Sequence, residues 1–318
     1  MKKAANNGSD QDDTRRRDQT GDREGTGRYG MEMTADTIGR FKDLVYDRCH
    51  LTFPESREPQ FRRLIARRAE EGRHRSLADY YQSLASSTAE FEQLLVLITT
   101  RETYFFRMPE HFEALAQIVL PGIVDREGKK AMTGLARGEK YRMRLEVLSA
   151  GCATGQETHS LAMQILDGIR YPKAWDITIT GTDLNPDALE TARQARYGTL
   201  RLGKTPPRFI EKYFIPLSPE EIMLSEEVRE LTRFETMNLR NLPAMDGFKG
   251  RFDIIFCRNV MIYFDLSAQQ RLIAALTDCL RPGGYLFTGE GEVLHLYEHS
   301  LTVVEKSNTI FYQKPEGA

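Results

Sequence analysis

Apolar side chains recur at helical spacing through the first third of the chain and in strand-like runs through the remainder. Phe41, Leu44, Val45 and Tyr46 suit one amphipathic helix, and Phe61, Leu64, Ile65 and Ala69 a second. Leu77, Tyr80, Tyr81 and Leu84 suggest a third, and Phe91, Leu94, Leu95 and Ile98 a fourth. No strand-type alternation interrupts them, which predicts an all-α N-terminal domain over residues 31–123. Residues 124–142 are polar and basic with Gly128, Gly134 and Gly138, and read as a linker or mobile loop. From residue 143 to 318 strand and helix signals alternate. Strands are expected at Arg144–Leu148, Trp175–Thr180, Phe252–Phe256 and Tyr285–Thr288. Helices are expected at Glu157–Leu166, at Pro186–Ala195, and at Ser267–Leu280 with a Ser cap and a stop at Pro282-Gly283-Gly284. Leu301–Val304 and Ile310–Tyr312 flank a hairpin signal and imply one antiparallel strand at the end. Such alternation is the mark of an α/β domain with a largely parallel sheet. It lapses over 197–234, which reads as an inserted subdomain. Residues 1–30 carry almost no apolar side chains and cannot offset chain entropy by burial, so a disordered tail is expected.

Composition narrows the classes. Lys plus Arg total 44 and Asp plus Glu 46, a net charge of −2, so nothing in the overall charge calls for nucleic acid. The acidic residues of the tail nearly balance its basic ones, which removes a basic-arm reading. The four cysteines form no C-x-x-C pair, so zinc and dithiol chemistry are not expected; Cys152 and Cys257 read as small buried hydrophobes. No apolar run approaches membrane-spanning length and no signal-peptide core is present. A cytoplasmic monomer without bound metal is expected.

The candidate chemistry begins at Leu145–Gly155. A strand runs into Ser149-Ala150-Gly151-Cys152-Ala153-Thr154-Gly155 and then a helix. The G-x-x-x-G spacing differs from the G-x-G-x-x-G that seats a pyrophosphate, and S-adenosylmethionine carries no phosphate to seat. Asp183 ends the next strand, where a carboxylate can accept both ribose hydroxyls; a helix N-cap is its structural alternative, and Asn185 can fill that role instead. Turn and strand-end acid together favour a cofactor site.

Five segments resemble the chemotaxis-receptor glutamate methyltransferases, the CheR family. Thr99–Arg107 resembles its T-N-E-T-x-F-F-R segment, and Ser149–Glu157 its S-A-G-C-S-T-G-E-E turn. Gly181-Thr182-Asp183 matches the acid-bearing strand end, and Phe252–Phe264 is close letter for letter to F-C-R-N-V-x-I-Y-F. Pro282–Leu286 resembles the following turn and strand. The resemblance, from Met33 to Lys314, implies a Rossmann-like class I methyltransferase domain with a small insertion, preceded by an all-α domain. It implies S-adenosylmethionine as donor and S-adenosylhomocysteine as product. Carried over by position, it implies donor contacts at Thr103, Arg107, Glu157, Asp183, Asn238, Leu239, Arg258 and Asn259, with Gly151 in the turn. It implies methyl-ester formation on glutamates in the helical cytoplasmic region of chemoreceptors.

That reaction needs orientation more than acid–base help, because a carboxylate is already ionised at pH 7. Arg107 is the candidate to orient the acceptor and Tyr263 to line the methyl site; a surface salt bridge and ordinary core packing are their structural alternatives. Arg57, Arg62, Arg63, Arg67, Arg68, Arg73 and Arg75 concentrate near the helix at 57–75 and suit an acidic receptor helix. The chain departs from the family pattern at Arg101, which adds charge beside a cationic donor, at Gln156 and Thr158-His159, and at Gly289-Glu290-Gly291-Glu292. His159 is expected at the surface or just behind the site rather than as a base. A donor-sensing module without catalysis, and a methyltransferase for another protein or a small molecule, remain alternatives.

Overall fold

The computed structural model describes residues 33–99, 103–203, 205–306 and 308–317. The expected tail at 1–30 and Arg101 lie outside them. Four helices open the described residues: α1 (Ala35–Cys49), α2 (Glu58–Glu71), α3 (Leu77–Ser86) and α4 (Thr88–Ile98). Local chemistry starts each one. Thr34, Ser76 and Ser87 accept from backbone N–H groups in the first turns of α1, α3 and α4, and Pro59 sits in the first turn of α2. Ile38, Phe41 and Val45, then Phe61, Ile65 and Ala69, face Tyr80, Leu84, Phe91 and Leu94 in one core.

That core ends before residue 99, so the helical domain is shorter than the expected 31–123. Phe105, Phe106 and Phe112 belong instead to the core of the α/β domain. The expected linker at 124–142 is also corrected. Helix α5 (Pro109–Ala114) passes through a π-helical turn (Leu115–Val119) into α6 (Leu120–Ala136). Internal glycines weaken a helix by only about 1 kcal/mol each. Here buried contacts outweigh that: the Glu127 carboxylate accepts from Tyr141 Oη (2.6 Å), Lys130 Nζ (2.8 Å) and Arg144 N (3.2 Å).

The α/β domain runs β1 (Met143–Ala150), α7 (Gln156–Gly168), β2 (Trp175–Asp183) and α8 (Pro186–Gln194). The insertion follows, with β3 (Arg196–Gly198), α9 (Pro207–Tyr213), β4 (Phe214–Pro216), β5 (Glu221–Leu224) and α10 (Glu226–Glu230). It forms a three-stranded antiparallel sheet in the order β3-β5-β4. Its expected end at 234 is too late, because β6 (Thr232–Thr236) is an edge strand of the large sheet. Only Thr232 of β6 is buried, so the sequence shows no strand-like apolar alternation there.

The chain closes with β7 (Phe252–Cys257), α11 (Leu266–Cys279), β8 (Leu280–Thr288), β9 (Thr302–Lys306) and β10 (Thr309–Gln313). Asp265, not Ser267, caps α11, accepting from Ala268 N at 2.7 Å; Pro282-Gly283-Gly284 lies within β8 rather than in a helix stop. The seven-stranded order is β6-β2-β1-β7-β8-β10-β9, and β10 alone runs against the rest, as the closing hairpin implied. Strand order reverses at β1, which places a crevice outside the carboxyl ends of β1, β2 and β7.

Behind the sheet, Asp253 is 1% exposed and is held by Arg126 (2.6 Å), Arg281 (2.7 Å) and Glu146 N (3.0 Å), which clamps α6 and the β8 turn to β7. Removing the carboxylate strands two partly buried guanidiniums, so Asp253→Ala is expected to cost about 3 kcal/mol in urea unfolding. A change below about 0.5 kcal/mol would show that the clamp contributes nothing.

Candidate active site

The Gly-rich turn builds one wall of the crevice. Gly151 has φ +77, and a Cβ there would lie 2.4 Å from Val260 Cγ2; Gly155 has φ +89, and a Cβ would lie 2.6 Å from Ala192 Cβ. Only glycine meets both demands. Gly151 N and Cys152 N donate to Thr182 O at 2.7 and 2.9 Å, binding the turn to the end of β2. The Asp183 carboxylate accepts from Ala153 N (2.8 Å) and Asn185 N (2.9 Å). Asn185 caps α8 by accepting from Ala188 N at 3.1 Å, so Asp183 is not the cap. Two amides thus fix the strand-end acid at the crevice.

Arg258 follows β7 and is 5% exposed. Its Nε donates to Glu157 Oε2 at 2.7 Å, and its Nη1 donates to Arg107 O at 2.6 Å and lies 3.3 Å from His111 Nδ1. Glu157 also accepts from Ser149 Oγ at 2.7 Å. Burial, and then the charge of Arg258, push the His111 pKa down to about 3, so the ring is neutral and Nδ1 accepts. Arg258 and Glu157 therefore neutralise each other while fastening the Thr103–Arg107 segment to the strand ends.

Asn259 has φ 58, a left-handed conformation that asparagine tolerates. Behind it Glu292, 5% exposed, accepts from Asn259 N (2.6 Å), Gly289 N (2.7 Å) and Ile262 N (3.3 Å). Asn238 spends its side chain on the joint with α1, donating to Arg48 O at 2.7 Å, and Leu239 packs in the wall.

These residues enclose a cavity of about 420 Å³. Thr103, Arg107, Gly151, Glu157, Asp183, Asn238, Leu239, Arg258, Asn259 and Tyr263 all line it. The N-terminal domain supplies the opposite wall, including Thr52, Phe53, Arg57, Gln60 and Leu64. Thr52 N and Oγ1 donate to Tyr263 O at 2.8 and 3.0 Å, and Tyr46 Oη donates to Asp265 at 2.5 Å. Arg57 stands 4.6 Å from the Tyr263 ring centroid.

Several expectations change at this level. The arginines of α2 do not form one unpaired face: Arg62 binds Glu58 (2.7 Å), Arg67 binds Glu71 (2.7 Å), and Arg68 binds Glu90 (2.7 Å). Arg63 is exposed, and Arg57 turns into the cavity. Gln156 is buried beside the turn, where Thr154 Oγ1 donates to it at 2.8 Å, so the departure there takes no charge from the cavity lining. His159 is neither at the surface nor beside the cavity. It is fully buried between α7 and α8, 3.1 Å from Ala192 O, and burial pushes its pKa down to about 4. All four cysteines are buried free thiols; burial drives Cys49 up to about 12. Arg57, His111 and Glu292 were not singled out as site residues. The partners of Arg57 and His111 lie more than 100 positions away; those of Glu292 are nearer, and only the G-E-G-E run hinted at it.

A model described as the all-alpha domain of CheR methyltransferases matches residues 36–99, and one described as their SAM binding domain matches 101–310. The chain belongs to the CheR methyltransferase family. Among curated relatives, a probable biofilm formation methyltransferase, WspC, of Pseudomonas putida is 32% identical over 87% of this chain. The chain spans 62% of that protein's length. Chemotaxis protein methyltransferase 1 of Pseudomonas aeruginosa is 31% identical over 75% of this chain and 83% of its own length. Chemotaxis protein methyltransferase 2 of Vibrio cholerae is 28% identical over 89% and 94%.

CheR membership makes the chain an S-adenosylmethionine-dependent methyltransferase, and the cavity fits that donor in size and chemistry. It offers an anchored carboxylate at Asp183 and no phosphate cradle. The boundary between the two matched segments, at 99–101, agrees with the shortened helical domain.

Two outcomes follow. Asp183→Asn removes the charge but keeps the shape, and is expected to weaken S-adenosylhomocysteine binding at least tenfold by calorimetry; unchanged affinity would remove Asp183 from the donor site. The neutral histidines set an acid limit. Between about pH 6.5 and pH 4 the unfolded chain takes up protons that folded His111 and His159 refuse. Their stabilisation is complete above about pH 6.5 and falls on acidification, by about 1.4 kcal/mol per pH unit for each. Urea unfolding at pH 7.5 and 5.5 measures the drop, and His159→Gln is expected to remove roughly half of it.

Proposed function

We propose that this CheR-family enzyme methylates glutamate side-chain carboxylates in the helical cytoplasmic region of chemoreceptors, acting as a cytoplasmic monomer. The observation that carries the proposal is the charge inside the cavity. Glu157 is committed to Arg258 and Ser149, and Asp183 to two backbone amides. No histidine lines the cavity among the described residues. Among the described lining residues, Glu157 and Asp183 are the carboxylates, and both are engaged in this way rather than placed to take a proton from an amine or alcohol acceptor. Arg57 and Arg107 instead supply two guanidiniums to the same wall set as Tyr263. That arrangement suits an acceptor that arrives already ionised and anionic.

When bound, S-adenosylmethionine supplies a methyl group on a sulfonium leaving group. The acceptor oxygen gains the methyl and S-adenosylhomocysteine departs, with no proton to move. The chain's own part is orientation and exclusion of water. Arg107 and Arg57 hold the carboxylate, Asp183 and Asn259 line the donor side, and Tyr263 lines the same cavity beside Arg57. Exposed Arg63 on α2 is available to an acidic receptor helix. Among the described residues no helix is long and apolar enough to cross a membrane. Likeness to a protein named for biofilm formation favours, as a second reading, the same chemistry on a receptor of that kind of pathway.

Incubation with methyl-labelled donor and receptor-containing membranes tests the proposal. The expected product is label that alkali releases as methanol, the mark of a carboxyl methyl ester. Arg57→Ala is expected to raise the receptor KM about tenfold with donor affinity unchanged. Donor binding with no base-labile label on any receptor would sink the proposal and favour a sensing role.

A further inference from the structure

Glu292 is a buried carboxylate with no cation beside it among the described residues. It forms no ion pair among the described residues, yet it is 5% exposed. Such a charge persists in a protein interior only where hydrogen-bond donors replace its water. Here the donors are three backbone amides: Asn259 N and Gly289 N on Oε2, and Ile262 N on Oε1. They come from the loops just past β7 and β8. The last paired residues of those strands are Cys257 and Thr288, so Glu292 begins where the ladder stops. It extends the sheet's hydrogen bonding by one side chain.

The turn it grips carries the cavity's working surface. Asn259, Val260, Ile262 and Tyr263 all line the cavity. Val260 packs against Gly151, at the spot where a Cβ would not fit. Tyr263 O accepts from Thr52 on the other side. The turn is therefore held from behind by Glu292 and from the front by the N-terminal domain.

Amide number and geometry explain why the residue is a glutamate. Two donors share one oxygen and the third uses the other. A glutamine keeps one acceptor oxygen, and its NH2 would confront whichever amide lies opposite. The Asn259 end has the short bonds and the Ile262 end the long one, so the Ile262–Tyr263 end is the one a glutamine releases.

We infer that Glu292 is a positioning residue that acts through the backbone of the 259–263 turn to set Tyr263 against the acceptor. The inference rests on the methyl-transfer reading for its kinetic part, but its structural part does not.

The test uses the full chain with Glu292→Gln, Glu292→Asp, Tyr263→Phe and the Gln/Phe double variant, well below their unfolding temperatures. In Glu292→Gln, hydrogen exchange in a peptide spanning 258–264 is expected to quicken at least tenfold, with exchange in α7 and β2 unchanged. Affinity for S-adenosylhomocysteine is expected to stay within about threefold while kcat for receptor methylation falls at least tenfold. Glu292→Asp, which keeps both oxygens, is expected to recover part of kcat. The double variant is expected to be little slower than the slower single one, because both changes act at Tyr263. Unchanged exchange at 258–264, an unchanged kcat, or fully multiplicative losses would overturn the inference. A parent chain that methylates no receptor counts against the proposed function alone, since the exchange result still decides whether Glu292 holds the turn.

Discussion

The guanidinium of Arg258 is taken almost wholly out of water, and a guanidinium so placed needs partners of matching charge and direction. It finds them on stretches that the chain order keeps far apart. Glu157 comes from the first turn of α7, the carbonyl of Arg107 from the segment leaving the helical domain, and neutral His111 from α5. One side chain thus locks the Gly-rich turn, the end of β7 and the Thr103–Arg107 segment into a single frame. Neutrality at His111 is part of that lock, since a protonated ring would face the guanidinium with a second charge.

With that frame set, the cavity divides its work. The proposed donor side lies within the α/β domain, at the point where strand order reverses, beside Asp183 and the Gly151 turn. The proposed acceptor side straddles two domains. Thr52 binds the Tyr263 carbonyl, Arg57 stacks over the Tyr263 ring, and Asn238 binds the end of α1. A small helical domain that forms one wall of the cavity suits the proposed helical protein acceptor. Most of the charge on α2 is spent inside the protein, so the surface offered to a partner is less basic than the arginine count implies.

Much of the architecture was legible because it follows from local rules. The period of Phe61, Ile65 and Ala69 marks α2, and Gly151 and Gly155 mark a turn of positive φ. Asn185 was an available cap beside Asp183, and it is Asn185 that caps α8. Failures have equally local causes. Glycines at 128 and 134 suggested a loop where Glu127 and Arg126 find buried partners. Thr232–Thr236 lacks apolar alternation because it is an edge strand. Ser267 looks like a cap only until Asp265 is seen accepting from Ala268 N.

By itself the sequence determined the two fold classes, the strand–turn–helix at Gly151–Gly155, and the family, because periodicity, φ preference and contiguous motifs are written within short windows. Tertiary structure alone decided what each charged group faces. Glu157 and Arg258 are 101 positions apart, Arg57 and Tyr263 further still, and Glu292 reaches back 33 positions to Asn259. No local pattern encodes such pairings. They follow from desolvation, which is set only when the sheet order and the domain joint have fixed who is buried with whom.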